Sequence, residues 1–456
     1  MSRRFRVTFI HPCIGRKSGR SYLRTWQMEP LPVAVLAALT PPDIERRFYD
    51  DRMEPVPYDE PTDLVAISTE VYTAKRAYQI ASEYRRRGVP VVMGGFHATL
   101  CPDEVARFAE SVVIGEAEDL WETVLDDYRH GTPRKFYQAA DRPSLERSDP
   151  DRSIYAGKRY LPVGLVEAGR GCRFSCEFCC IQSYYHSTYR ARPVDRVVAE
   201  LRGLRDRTKL VFFVNDNIIS DRESARGLLE ALVPLKIRWV SQGSINVALD
   251  EGLLELLKAS GCQGLLIGFE SLEAENLRQM GKGVNLAQGD YEKAMANLKR
   301  HGIRVYGTFV FGYDHDTPDS FDRVHDFAMR HGFFLCGFNH LTPMPGTPLY
   351  QRLRDEGRLL HDAWWLDDHY TYNTLPFRPL GMSPEAVRAA CLAARRRFYS
   401  VPNTLRRALQ PHNRSDWRFL KSFLAVNLLH LAEVGKRDSL PLGDAAFAGP
   451  LIESGS

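Results

Sequence analysis

Three cysteines, Cys172, Cys176 and Cys179, lie in the run Gly171-Cys-Arg-Phe-Ser-Cys-Glu-Phe-Cys179, a C-x3-C-x2-C spacing just after a segment of strand character. Thiolates this close on one loop can each bind one iron of a cubane, leaving the fourth iron without a protein ligand. Cubane clusters ordinarily take four cysteines, so the missing fourth opens a coordination position to a substrate or cofactor. Two other readings compete. A disulfide framework suits small secreted chains, whereas this chain has 456 residues, nine cysteines and no leader-like apolar run near its start. A structural zinc site usually needs four ligands. The only other nearby thiol is Cys180, whose adjacency to Cys179 makes joint tetrahedral ligation awkward, so Cys180 reads as a packed neighbour.

A loop of this kind must be held by a scaffold, and the apolar pattern supplies one. Over residues 163–345, strand patterns at 164–168, 210–214, 238–242, 265–269, 305–311 and 334–340 alternate with helical ones. Six β/α units in that length predict a (β/α)6 partial barrel, whose chemistry gathers at the carboxyl ends of its strands. The polar residues fall there. The cysteine loop follows the first strand, Asn215-Asp216-Asn217 the second, Gln242 closes the third, and Gly268-Phe269-Glu270-Ser271 ends the fourth. Asn215-Asp216-Asn217 could instead cap the following helix, and Glu270 could be a buried salt-bridge partner for an arginine.

Residues 1–135 show a second alternation, with strands expected over 6–10, 46–49, 64–68, 90–93 and 112–114. Between the third and fourth, Ala77, Ile80, Ala81 and Tyr84 recur at helical spacing, closed by Gly88. Near-continuous apolar strands with intervening helices predict a doubly wound parallel sheet. Ligands of such sheets bind beyond the strands' carboxyl ends, here 11–20, 68–73, 94–99 and 115–116. Residues 136–162, rich in Pro, Asp, Ser and Arg, read as an exposed linker. A helical region follows over 346–440, with Trp364-Trp365 reading as core, and a small-residue tail over 441–456 is expected to fray.

Composition narrows the field. A hydrophobic fraction of 44% and a charged fraction of 26% are those of an ordinary globular protein. A net charge of +4 is too mild to argue for nucleic acid. Arg85–Arg87 and Arg395–Arg397 read as cations ending helices, where they offset the helix dipole. No run of about 18 or more apolar residues predicts a membrane span.

The cysteine spacing, with Phe178 before the last cysteine, resembles the signature of radical S-adenosylmethionine (SAM) enzymes. The likeness extends over nearly the whole chain. Val91-Val-Met-Gly-Gly-Phe-His-Ala-Thr99 and Val112-Val-Ile-Gly-Glu-Ala-Glu118 resemble the Rossmann-like lobe of the cobalamin-binding-domain radical SAM family, the class B methyltransferases and their relatives. Leu266-Ile-Gly-Phe-Glu-Ser-Leu272, Phe309-Val-Phe-Gly312 and Pro343-Met-Pro-Gly-Thr-Pro-Leu349 resemble its barrel landmarks.

The resemblance implies a [4Fe-4S] cluster on Cys172, Cys176 and Cys179, with Phe178 beside the SAM adenine. Asp216, Asn217, Gln242 and Glu270 would line the SAM cavity. Gly94, Gly95 and a loop His97 would lie near a cobalamin, with His97 no cobalt ligand. The D-x-H-x-x-G motif that supplies a lower axial histidine in many cobalamin proteins is absent from the first 150 residues, since none of their histidines, His11, His97 and His130, is preceded two residues earlier by Asp. The methylthiotransferases, with a cysteine-rich amino-terminal domain, fit less well, because residues 1–135 hold only Cys13 and Cys101.

The implied activity is SAM cleavage to a 5′-deoxyadenosyl radical and methylation of an unactivated carbon in a small-molecule or lipid-like metabolite. Hydrogen abstraction by that radical needs no side-chain acid or base, so no catalytic residue is assigned beyond the cluster. Cyclisation, rearrangement or oxidation without methyl transfer is the alternative, and a cluster or cobalamin sensor the non-enzymatic one. The implied partners are a small-molecule substrate and a donor such as flavodoxin or ferredoxin, in the cytoplasm.

Overall fold

The computed structural model describes residues 4–17, 23, 27–283, 285, 291–414 and 417–453. Its amino-terminal sheet contains β1 (Arg6–His11), β3 (Glu45–Asp50), β4 (Leu64–Ser68), β5 (Val91–Gly94), β6 (Ser111–Ile114) and β7 (Phe136–Gln138); β2 (Gly15–Arg16) lies outside it. The order is β3-β1-β4-β5-β6-β7, and every pairing is parallel. The two-residue period of a strand sends neighbours to opposite faces. Val7, Phe9, Ala66, Val92 and Val113 therefore pack under helix Leu31–Leu39 and Trp121. Ile10, Val65, Ile67, Met93 and Val112 pack under helix Ala74–Arg86. The chain reverses direction across the sheet between β1 and β4, so their carboxyl ends border a crevice.

The second sheet, β15-β14-β13-β12-β11-β8, is also all parallel. Its strands are β8 (Gly164–Val166), β11 (Val211–Phe213), β12 (Trp239–Gly243), β13 (Cys262–Glu270), β14 (Arg304–Phe311) and β15 (Leu335–His340). Val166, Phe213, Trp239, Ile267, Phe309 and Phe338 face the helices and form one core with residues such as Val197, Leu229 and Leu254. The alternate positions Phe212, Val240, Gln242, Leu266, Tyr306, Thr308 and Asn339 keep partial or full exposure. The barrel is thus packed outside and open within, the reverse of a filled eight-stranded barrel.

Edge strand β15 is covered by helix Pro384–Tyr399, as exposed edges generally need. The Tyr399 hydroxyl donates to the Cys336 carbonyl (2.9 Å) and accepts from the Cys336 amide (3.2 Å). Beneath it Arg407 is wholly buried. It donates to the carbonyls of Phe333 and Phe398 and to Asn427 Oδ1 (3.0, 3.0 and 2.9 Å), and it stacks 3.7 Å above the Phe398 ring. Burial pulls its guanidinium down to about 10. Arg407→Ala strands those acceptors and leaves a hole, and is expected to destabilise the chain by about 3 kcal/mol or more, read by urea unfolding.

Two expectations need correction. Residues 136–162 are not simply an exposed linker: β7 adds the sixth strand, and Arg152 and Tyr155 are buried. Arg152 bonds Glu29 of the first lobe and Glu200 of the barrel, which is what its charge needs to be buried. Nor does the tail fray as far as it is described. β16 (Thr371–Tyr372) pairs with β17 (Leu440–Pro441), and β18 (Gly443–Asp444) pairs with β2. Gln79 brackets the backbone of Asp444, accepting from its amide (2.7 Å) and donating to its carbonyl (3.2 Å). Gly443, at φ +81°, lies so close beneath Gln79 that a Cβ would stand 3.0 Å from its amide. The small residues here serve close approach. Residues 454–456 of the expected tail, and 18–20 of the expected strand end, lie outside the described residues.

Candidate functional site

The cysteine loop springs from an antiparallel hairpin of β9 (Gly169–Gly171) and β10 (Tyr189–Ala191). Gly171 opens it at φ +89°, where a Cβ would lie 2.2 Å from the Thr188 carbonyl oxygen, so glycine is obligatory. Cys176 is buried while Cys172 and Cys179 stay partly accessible, and all nine cysteines are free. Burial pushes the Cys176 thiol up to about 11, opposed by the nearby Lys282 ammonium. Cys180 is likewise raised by burial, to about 12. Among the described residues no three His, Cys, Asp or Glu side chains are placed to share one metal ion, whereas a cubane spreads three thiolates over three irons.

The Asn215-Asp216-Asn217 turn supports this loop and does not cap the next helix, whose cap is Asp221. Asn215 Oδ1 accepts from the Ala168 amide (3.1 Å) and Asp216 Oδ2 from the Gly171 amide (2.8 Å). Asn217 Nδ2 lies 3.7 Å from Cys172 Sγ and 3.2 Å from Ser244 Oγ. Burial raises the Asp216 carboxyl to about 6. From the other side, the Glu177 amide donates to the Met280 carbonyl (3.0 Å), and Arg352 grips the Glu177 carboxylate (2.9 Å).

At the end of β13 a bulge re-aims the chain. Glu270 takes φ +63°, rare for a side-chain-bearing residue. Its carboxylate folds back over Gly268, where a Cβ would sit 2.1 Å from Oε1. It pairs with the buried Lys282 ammonium at 2.5 Å, which also donates to the Gly268 carbonyl (3.1 Å). Glu270 therefore has a salt-bridge partner, but it is Lys282 and not the arginine that the sequence suggested. Gln242 faces the open interior, and Phe178 is half-buried against the barrel core.

A cavity of about 860 Å³ lies between the lobes. His11, Arg52, Glu70 and Tyr72 line it from the first lobe, Leu165 and Val214 from the barrel, and Tyr372, Lys436 and Leu440 from the carboxyl-terminal region. A second cavity, of about 260 Å³, adjoins it and shares Leu31, Pro32, Ser68 and Glu70. It descends between the first sheet and helix Leu31–Leu39 to Trp121, and its mouth carries Gly94, Gly95, Arg170 and Tyr185. Gly95 has φ +97°, and a Cβ there would lie 2.9 Å from the Thr69 backbone. Burial raises the Glu70 carboxyl, opposed by Arg52.

The lobes are joined at the cysteine hairpin. Glu116 meets Arg142, Arg170 and Arg190 at 3.1, 2.7 and 2.5 Å, and Arg170 also pairs with Glu118 and Glu167. Burial opposes the charge of Glu116, yet the guanidiniums of Arg190 and Arg170 hold its carboxyl below the usual range.

His97 departs from expectation. It lies in helix Phe96–Leu100, not a loop, and is wholly buried on the face away from both cavities. Its Nε2 contacts Glu104 at 3.0 Å, and Trp365 crosses it edge-on at 5.5 Å. Glu104 also accepts from Tyr78 and Trp365, so His97 belongs to a packed polar knot. Glu70 and Tyr72 fall within the strand end 68–73 where a ligand was expected, whereas Arg52, Tyr306 and Asn339 escaped the sequence reading. For the barrel residues the signal was available: the strand alternation that aims Gln242 inward aims Tyr306, Thr308 and Asn339 the same way.

Residues 166–328 match the family model described as the radical SAM superfamily. The chain is 32% identical over 389 residues to the bacteriochlorophyllide d C-12(1)-methyltransferase of Chlorobaculum tepidum, covering 83% of this chain and 84% of that one. It is 29% identical over 353 residues to the bacteriochlorophyllide d C-8(2)-methyltransferase of the same organism, covering 73% and 77%. Its fold resembles that of the cobalamin-dependent S-adenosylmethionine radical enzyme OxsB, with a TM-score of 0.65 at 13% identity, covering 94% of this chain and 71% of that one. The chain belongs to the radical SAM superfamily, enzymes built on a [4Fe-4S] cluster and SAM, and within it to the methyltransferase-like family whose amino-terminal lobe is of the cobalamin-binding type.

Proposed function

We propose that the protein is a cobalamin-dependent radical SAM C-methyltransferase acting on an unactivated carbon of a bulky, largely apolar metabolite, with a chlorin-type ring as the first candidate because two relatives are named for bacteriochlorophyllide d. The observation that carries this is the pair of adjoining cavities. They run from the barrel strand ends and the cysteine hairpin to a cleft under the Rossmann-like sheet. One cavity is broad enough for a substrate and a corrin face, and the other is a narrow apolar slot behind Gly95 suited to the corrin's tail. When bound, the cluster supplies an electron, SAM a hydrogen-abstracting radical, and cobalamin the methyl group.

Cys172, Cys176 and Cys179 would hold the cluster, with Cys176 the buried member of the three. Asp216 and Asn217 act through the loop they bond, positioning the thiolates. Gln242, Glu270 and Phe178 bound the SAM site inside the barrel, where the Lys282 ammonium balances Glu270. Residues 1–135 form the cofactor lobe and 163–345 the catalytic barrel. Phe212, Val240, Leu266 and Tyr306 line the interior with apolar surface that excludes water from a reactive radical. The protein's own work is binding and orientation, with the bond chemistry left to the cofactors. Among the described residues no helix is long and apolar enough to cross a membrane. The electron comes from a flavodoxin- or ferredoxin-like donor. A thiolate-held cluster needs a reducing compartment, which favours the cytoplasm.

The test is anaerobic reconstitution with iron, sulfide and hydroxocobalamin, then incubation with SAM, reductant and a chlorophyllide-type acid. Methylation releases S-adenosylhomocysteine and 5′-deoxyadenosine together. Release of 5′-deoxyadenosine alone, by a protein that retains no cobalt, defeats the methyl-transfer reading and leaves the radical one standing.

A further inference from the structure

The mild net charge of the whole chain hides a strong local imbalance. Residues 395–437 contain ten arginines and lysines against two acids. Some of these cations are spent inside the fold: Arg407 is buried, Arg397 pairs with Asp322, and Arg437 with Glu433. Arg396, Arg406, Arg414 and Lys421 are exposed, and among the described residues none of the four makes an ion pair.

The same segment exposes apolar surface. Of the ten most exposed large hydrophobic side chains among the described residues, five fall between 401 and 428: Val401, Leu405, Leu409, Trp417 and Leu428. The arrangement is periodic. On helix Val401–Ala408 and the residue after it, Val401, Leu405 and Leu409 follow at i, i+4 and i+8, with Arg406 beside them. Thr404, Arg407 and Ala408 face the core. Leu409 and Trp417 are 68% and 69% exposed. On helix Trp417–Arg437 the outward row is Trp417, Lys421, Ala425 and Leu428. Both helices thus turn an apolar stripe with a cationic border towards solvent.

We propose that this face docks on an anionic lipid surface, with the apolar rows entering the headgroup boundary and the four cations meeting phosphate. Charge selects this occupant. A second copy of the chain would set arginine against arginine across a two-fold axis. An electron-donor protein is poorly served, because the patch lies at the wrong end of the barrel. Arg407 and Asn413 tie it to the carbonyls of Phe333 and Gly332, just ahead of β15. The cysteine loop follows the opposite, carboxyl end of β8. With no spanning helix among the described residues, the contact is peripheral.

The test uses the full chain and vesicles of phosphatidylcholine with or without about one third phosphatidylglycerol. The protein should sediment with the anionic vesicles only, and less so as salt rises. Arg406→Gln, Arg414→Gln and Lys421→Gln together should weaken binding about a hundredfold, at roughly fivefold per cation. Leu405→Ser, Leu409→Ser and Trp417→Ser together should weaken it at least about tenfold. Both sets should cleave SAM at the parent rate, which keeps folding and cluster chemistry separate from docking. Failure to bind anionic vesicles overturns the proposal. So does binding that both variant sets retain, or capture of an acidic protein by a chain that ignores lipid.

Discussion

Cys176→Ala is expected to leave a folded protein that, after anaerobic reconstitution, holds under one iron per chain in place of about four and releases no 5′-deoxyadenosine above background. Cys176 is the most buried of the three loop thiols and has Lys282 beside it, so no outside donor replaces it. The hairpin, the Asp216–Gly171 bond and the Glu177–Arg352 pair do not involve its sulfur, so the fold should survive with a small stability loss of about 1 kcal/mol. Two companions sharpen the result. Cys180→Ala removes a thiol just as close in sequence and should retain both iron and cleavage. Asn217→Ala removes a neighbour of Cys172, and should lower cluster occupancy or turnover by about 10- to 100-fold, the scale typical of groups that orient metal ligands. Iron analysis and nucleoside chromatography on the same samples decide the matter. A Cys180→Ala protein that lost its iron, beside a Cys176→Ala protein that kept it, would falsify the assignment.

Much of the site was readable because its signals are local. The three cysteines share eight residues, and strand ends are marked by a change from apolar to polar residues within one or two positions. The eleven expected main strands appear within three residues of where alternation suggested, the largest shift being the early start of β13 at Cys262. What escaped was set by contacts distant in sequence. Glu116 is joined to Arg170 and Arg190, more than fifty residues on, and no pattern near Glu116 announces them. Gln79 organises Asp444 from the far end of the chain, so the same small residues that suggest a loose tail prove to be packed. His97 sits beside the Gly-Gly pair in sequence, yet about half a helical turn carries its side chain to the opposite face, where Glu104 and Trp365 receive it.

The two lobes share one structural seam, and this bears on how radical formation and methyl transfer are kept in step. Arg170 immediately precedes the glycine that opens the cysteine loop, and it holds Glu116 and Glu118 of the first lobe together with Glu167 of the barrel. Buried charges of this sort stabilise little in net terms but fix geometry, because an unpaired member is strongly penalised. Movement of the first lobe must therefore be felt at the cysteine loop.

Gly95→Val should separate the two halves of the reaction, abolishing retention of cobalamin while leaving iron content and SAM cleavage near the parent values. Gly95 stands at φ +97°, a conformation that costs a side-chain-bearing residue about 1–3 kcal/mol. Its absent Cβ would also press on the Thr69 backbone at 2.9 Å, next to Ser68 and Glu70, which line both cavities. The strain falls on Ser68 and Thr69 of the first lobe, and none of the three loop thiols is among the nearest groups a Gly95 Cβ would meet. Since such strain could unfold that lobe, Leu36→Trp provides a fold-neutral counterpart. Leu36 is half-buried on helix Leu31–Leu39 and lines the 260 Å³ slot, so a larger ring fills empty space and should not lower the unfolding midpoint in the corrin-free protein. Both variants should emerge from gel filtration with hydroxocobalamin as iron proteins lacking the corrin absorption bands, should release 5′-deoxyadenosine, and should yield no methylated product. Retention of the corrin by Leu36→Trp at parental affinity would remove the slot from the cofactor site and leave only the broader cavity between the lobes to hold it.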